Sequence, residues 1–154
     1  MFEMRTVEGT IYLCILLLFL FLFSIEDIKT GKISLRYVLA GMLLAGIYFM
    51  TLIIRQERSP RDIIWALIPG SACLMIAWFS QGMGSGDGLL IILTGLFFPF
   101  RENLILILLA LFLCSFVAGV LLVMKKMGRK SRLPFVPFIF IASFIVGIWH
   151  EYIP

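Results

Sequence analysis

Gln81-Gly82-Met83-Gly84-Ser85-Gly86-Asp87-Gly88 sets four glycines and one carboxylate in eight residues, between segments made almost wholly of Leu, Ile, Phe, Ala and Met. In water such a run would be an ordinary turn. Between two apolar segments it lies at or near the depth of a membrane, where mobile backbone and an ionisable side chain are both costly and usually functional. How the flanking segments are counted decides the fold, and what the aspartate is for decides the function.

The flanks follow the rest of the chain. Of 154 residues 62% are apolar and only 14% are charged, and the mean hydropathy is +1.09, far outside the range of soluble domains. The charges are clustered, as expected when long stretches must lie in hydrocarbon. The length allows one helical bundle and no sizeable soluble domain, so residues 1–154 read as a single membrane-embedded domain. The net charge of +4 does not indicate nucleic acid, because the Lys and Arg fall in gaps between apolar segments and act as topology signals. Cys14, Cys73 and Cys114 stand singly inside apolar segments, which supports neither a disulfide framework nor a zinc site. The first apolar run ends in Phe23-Ser24-Ile25-Glu26 without a small-residue cleavage site, so it is expected to be a retained helix.

Six apolar segments are expected. The first runs from about Thr10 to Ile25 and stops at Glu26-Asp27-Ile28-Lys29-Thr30-Gly31-Lys32. The second, from Ser34 to Ile54, closes at Arg55-Gln56-Glu57-Arg58-Ser59-Pro60. The third, from Ile63 to Ser80, leads into the glycine stretch, which is expected to be a loop before a short fourth helix from Gly88 to Phe100. Thirteen residues of helix measure only ~20 Å against a ~30 Å hydrocarbon core, so this helix should be shallow, tilted or continuous with a sunken loop. The fifth runs from Asn103 to Met124 and ends in a basic run, Lys125 to Arg132. The sixth begins at Leu133-Pro134-Phe135-Val136-Pro137 and continues to Trp149. The expected fold is all-α and polytopic, with six transmembrane helices.

Six spans place Lys29, Lys32, Arg36, Lys125, Lys126, Arg129, Lys130 and Arg132 on one side, against Arg5, Arg55, Arg58, Arg61 and Arg101 on the other. The richer side is cytoplasmic by the positive-inside rule. Two spans separate Asp27 from Asp87, so both return to that face. Two adjacent aspartates cannot both ionise cheaply. They share a proton, and the pair then offers a base for water and an acid for a peptide carbonyl. This chemistry requires no metal and no cofactor. Gly84 and Gly86 can take positive φ and let backbone approach an extended substrate. Each aspartate alone also has a plainer reading: Asp27 as a solvated helix end, Asp87 as a loop residue.

Gly84-Ser85-Gly86-Asp87 is a GxGD motif. Together with Asp27-Ile28-Lys29-Thr30-Gly31-Lys32-Ile33 it resembles the type IV prepilin peptidases, polytopic aspartyl proteases of prokaryotic membranes. Gly95 and the Pro134-Phe135-Val136-Pro137-Phe138 element resemble later features of that family, so the likeness runs from the first segment to the sixth. It implies Asp27 and Asp87 as the catalytic pair, Gly84 and Gly86 as shaping the substrate-binding loop, and no cofactor. It implies a single-span prepilin-like protein as substrate, cut at the cytoplasmic face of the cell membrane. Two positions depart from the pattern. Ser34-Leu35 stands where many members have Pro-Asn, and Leu89 where many have Lys. The chain also lacks the Cys-x-x-Cys pairs of the larger members, which implies a peptidase-only form similar to those serving tight-adherence pili or archaellins.

Other residues carry plainer expectations. Glu26 adjoins Asp27, and helical neighbours point ~100° apart, so it should face away from a site that Asp27 lines. Asp62 reads as an acid in a helix first turn, and His150 as an interfacial tail residue. Trp65, Trp78, Trp149 and Tyr152 sit near segment ends, where an aromatic belt forms. Two rival functions fit the same residues: a non-enzymatic scaffold or transport subunit, and a degenerate homologue that binds pilins without cutting them.

Overall fold

The computed structural model describes residues 7–31, 34–80, 85–124 and 133–152. Among them lie six helices and no strand: α1 (Val7–Thr30), α2 (Leu35–Ile54), α3 (Asp62–Ser80), α4 (Ser85–Phe97), α5 (Phe100–Val123) and α6 (Val136–Tyr152). Three stretches, Gly9–Thr30, Leu35–Ile54 and Phe100–Val123, are long and apolar enough to cross a bilayer. Asp62–Ile76, Gly86–Phe97 and Val136–Trp149 are apolar but shorter. The large apolar side chains left on the outside, such as Leu18 and Leu22 of α1, Leu43 of α2, Ile76 of α3 and Phe112 and Phe116 of α5, form the surface that a hydrocarbon solvent stabilises and water does not.

The helix boundaries correct the expected segments at the centre of the chain. Ser85, Gly86 and Asp87 belong to the first turn of α4 rather than to a loop before it. As helix, the carbonyls of these residues accept N–H groups one turn further on, whereas their own N–H groups, being in a first turn, have no intrahelical partner. Gln81 to Gly84 lie outside the described residues. Pro99 separates α4 from α5, standing immediately before α5 with φ −58°; α5 therefore begins at Phe100 rather than at Asn103, and Arg101 and Glu102 fall inside its first turn. The basic run, Lys125 to Arg132, lies outside the described residues.

The short α4 is the centre of the bundle. It packs against α3, α2 and α5, and Leu90, Ile91, Leu93, Thr94, Phe97 and Phe98 are all buried. A helix enclosed by its neighbours need not match the bilayer in length, which accounts for its ~20 Å. Close approach to α3 depends on glycine: a Cβ on Gly95 would overlap the Ala66 carbonyl, and one on Gly88 would press into Leu74. A buried polar tie joins α4 to α5, where the Thr94 hydroxyl lies 2.8 Å from Asn103 Oδ1.

Helix directions fix the two ends of the bundle. Tyr12 of α1 meets Tyr48 of α2, ring centroids 4.4 Å apart, so the two helices run antiparallel. Arg58, just past α2, reaches the last carbonyls of α4, so α2 and α4 finish together. Gly147 of α6 lies against Leu13 of α1. The end of α1 and the starts of α2, α4 and α6 therefore share the other end.

Candidate active site

Asp27 and Asp87 both belong to that shared end, one on the last turn of α1 and the other on the first turn of α4. One level into the bundle their helices converge around Gly41 of α2, where a Cβ would meet Leu93 of α4 at 3.0 Å and Phe19 and Phe23 of α1 at 3.8 and 3.9 Å. Phe23 is one turn before Asp27, and Leu93 nearly two turns after Asp87. The packing in between sets the spacing of the two acidic turns.

The end of α1 is closely specified. Gly31 takes φ +63°, the left-handed conformation that glycine adopts without a Cβ penalty, and its N–H donates to the Asp27 carbonyl at 2.8 Å. This is a glycine-terminated helix end. The Thr30 hydroxyl donates to the Glu26 carbonyl at 2.9 Å. Asp27 itself is 9% exposed, and its Oδ2 accepts the N–H of Val136, the first residue of α6, at 3.2 Å. The Phe135 N–H also acts on this carboxylate. Glu26 points elsewhere, as neighbours on a helix must: its Oε2 accepts the Ser34 N–H at 3.4 Å, just before α2. Two consecutive carboxylates thus address the starts of two different helices.

Asp87 is half-buried. Cys73 of α3 and Cys114 of α5 lie within electrostatic reach of its charge. Gly86 is helical, and Gly31 is the glycine with positive φ among the described residues. The freedom expected of Gly86 is therefore not used in this conformation. Gly84 lies outside the described residues. Leu89, where the resemblance would have a lysine, packs against the apolar core. No group of three or more His, Cys, Asp or Glu with metal-holding geometry occurs among the described residues.

The opposite end carries a second polar feature that sequence reasoning treated only as a topology signal. Arg58 donates from Nη1 to the Leu96 carbonyl at 3.3 Å and from Nη2 to the Phe97 carbonyl at 2.9 Å. Its guanidinium carbon sits 5.5 Å from the centroid of the Phe49 ring. A cation here satisfies carbonyls that the helix end leaves open and complements the negative end of the helix dipole. Burial pulls this guanidinium below its ordinary value, with Tyr48, Asp62 and Glu102 opposing the shift. A cavity of about 550 Å³ adjoins it, lined in part by Asp62, Trp65, Phe100, Arg101 and Glu102. This cavity is at the far end from the two aspartates.

A bundle of apolar helices faced with lipid-compatible side chains defines a helical membrane protein, and Asp27 and Asp87 both lie toward one end of it. The chain belongs to the type IV leader peptidase family, whose model matches residues 14–124, well over half of the sequence and inclusive of both aspartates. No curated relative and no solved structure matches it.

Proposed function

We propose that this protein is an aspartic-type endopeptidase with six membrane-embedded helices that removes the leader from type IV prepilin-like precursors at the cytoplasmic face of the cell membrane. The observation that carries this reading is the membership of the leader peptidase family over a stretch containing both Asp27 and Asp87, joined to helix directions that bring both acidic turns to one end. In the full sequence, the stretches assigned to that side hold eight Lys and Arg against five on the other, in keeping with a cytoplasmic orientation.

The chemistry assigned to the pair is water addition. The ionised carboxylate takes a proton from water as the water oxygen bonds to the carbonyl carbon, and the protonated carboxyl hydrogen-bonds the carbonyl oxygen. A proton then passes to the amide nitrogen, the C–N bond breaks, and a leader carboxylate and a new N-terminal amine depart. The substrate is a single-span protein whose apolar helix packs in the bilayer against the bundle. Its basic leader remains in the cytoplasm, so the scissile bond is presented at the boundary where water is available.

Co-expression with a precursor carrying a basic leader, a glycine before the junction and a following apolar helix tests the proposal by gel shift. Cleavage by the native chain and its loss in both Asp27→Asn and Asp87→Asn are the expected results. A precursor that stays whole with the native chain would favour the scaffold or the non-cleaving homologue instead.

A further inference from the structure

We infer that the Pro134-Phe135-Val136-Pro137 start of α6 is a positioning element for Asp27, with the Val136 N–H holding the carboxylate in its working orientation. The inference rests on the peptidase reading and adds to it the part of the chain that aims one member of the pair.

The first turn of any helix leaves N–H groups without intrahelical partners. Here the sequence thins them out. Pro134 and Pro137 have no N–H, and Phe138 and Ile139 donate to the Phe135 carbonyl at 3.0 and 3.3 Å. The donors left at the start of α6 are those of Phe135 and Val136. Val136 is 0% exposed, so water cannot serve its N–H. No side chain from Leu133 to Val136 carries an oxygen that could cap the helix locally. The acceptor comes instead from Asp27, 109 residues away in sequence, at 3.2 Å, and the Phe135 N–H acts on the same carboxylate.

Both partners gain from this arrangement. The helix start acquires a charged acceptor, and the carboxylate loses the free rotation about its last bond that an exposed helix-end aspartate would keep. A base that must meet one water and one carbonyl works only from a narrow range of directions, so fixing this rotation contributes to the chemical step more than to substrate binding. Val136 contributes through backbone, so its side chain can change while its N–H cannot be lost.

The test uses the purified full chain in lipid nanodiscs and a synthetic precursor peptide with a basic leader, a glycine at the junction and an apolar helix. Replacing residue 136 by the α-hydroxy analogue of valine turns its amide into an ester, removing the N–H and keeping the side chain. Val136→Pro removes the same N–H genetically, and Val136→Ala keeps it. The ester and the proline variant are expected to lose roughly 10- to 100-fold in kcat, the scale of a hydrogen bond to a charged group, with KM unchanged. Val136→Ala should stay close to the native rate. If the proline variant does not fold, the ester variant decides. A native kcat in the ester variant, or a loss in Val136→Ala as large as the ester's, overturns the positioning role. Asp27→Asn, measured alongside, separates the two levels: if it cleaves normally the peptidase dyad itself fails, and if it is inactive while the ester is native only the positioning role fails.

Discussion

Replacing Arg58 with methionine keeps much of the side-chain volume and removes its charge. Arg58 is 9% exposed, spans two consecutive carbonyls at the end of α4 and lies over Phe49. Each hydrogen bond to a charged group contributes ~1.5–3 kcal/mol, and the ring contact adds ~0.5–2 kcal/mol. Against this stands the relief of the cost of burying the guanidinium, which offsets a large part of the gain. The Phe97 carbonyl stays buried and that of Leu96 part-buried with their donors gone, so a net loss of about 3 kcal/mol is expected. For a chain of this size that corresponds to a fall in Tm of roughly 6–12 °C. Arg58→Lys should fall less, because one ammonium keeps the charge but cannot fork across two carbonyls in the same geometry. Thermal unfolding in detergent micelles, followed by tryptophan fluorescence, measures both. Because Arg58 and the aspartates are at opposite ends, cleavage per folded molecule at low temperature should be unchanged. A Tm for Arg58→Met within about 1 °C of native, a shift that corresponds to well under 1 kcal/mol for a chain of this size, would refute the reasoning.

Three more perturbations address other joints of the fold. Gly95→Ala drives a Cβ into the Ala66 carbonyl and against Asn103, and should cost about 1–3 kcal/mol in the same unfolding assay; a neutral result would show that α3 and α4 can separate freely. Thr94→Val and Asn103→Leu each break the buried tie between α4 and α5. Each should destabilise by ~1–3 kcal/mol, while the double variant should lose less than the two single losses added together; simple additivity in the double-mutant cycle would contradict the pairing. Labelling with N-ethylmaleimide in single-cysteine variants should lower precursor cleavage at Cys73 or Cys114, which lie within electrostatic reach of Asp87. It should leave cleavage unchanged at Cys14, which is exposed on α1; equal effects at all three would argue against that surrounding.

Much of the helical framework is legible from residue order alone, because charge, glycine and proline end apolar runs by local rules. Gly31 closes α1 and the Ser59-Pro60 turn precedes α3 for reasons contained within a few residues. The start of α4 is not legible in that way. Ser85-Gly86-Asp87-Gly88 has the composition of a turn, yet it forms the first turn of α4, where Gly88 packs closely against Leu74 of α3, a contact that no local pattern announces. The burial of α4 is equally hidden: its apolar residues look like those of a helix facing lipid, and only packing against α2, α3 and α5 tells the two apart. The candidate site divides along the same line. The two aspartates stand out as charges in apolar sequence, whereas the partner of Asp27 is a backbone N–H on α6 and the partners of Arg58 are backbone carbonyls on α4. Backbone groups leave no mark in a sequence, and separations of 109 and 38–39 residues lie beyond any local pattern. The two prolines flanking Phe135 and Val136 were the available signal, since they remove competing donors.

The central claim is that Asp27 and Asp87 together activate water against a peptide bond. Its most direct measurement is cleavage of a synthetic precursor peptide by the reconstituted chain in ¹⁸O-labelled water, with mass spectrometry of the released leader. Water addition by this pair leaves one ¹⁸O in the new leader carboxylate, and Asp27→Asn and Asp87→Asn should each lose roughly 10²–10⁴-fold in rate, the range for removing a general acid or base. Label incorporation at the native rate in either variant would contradict it.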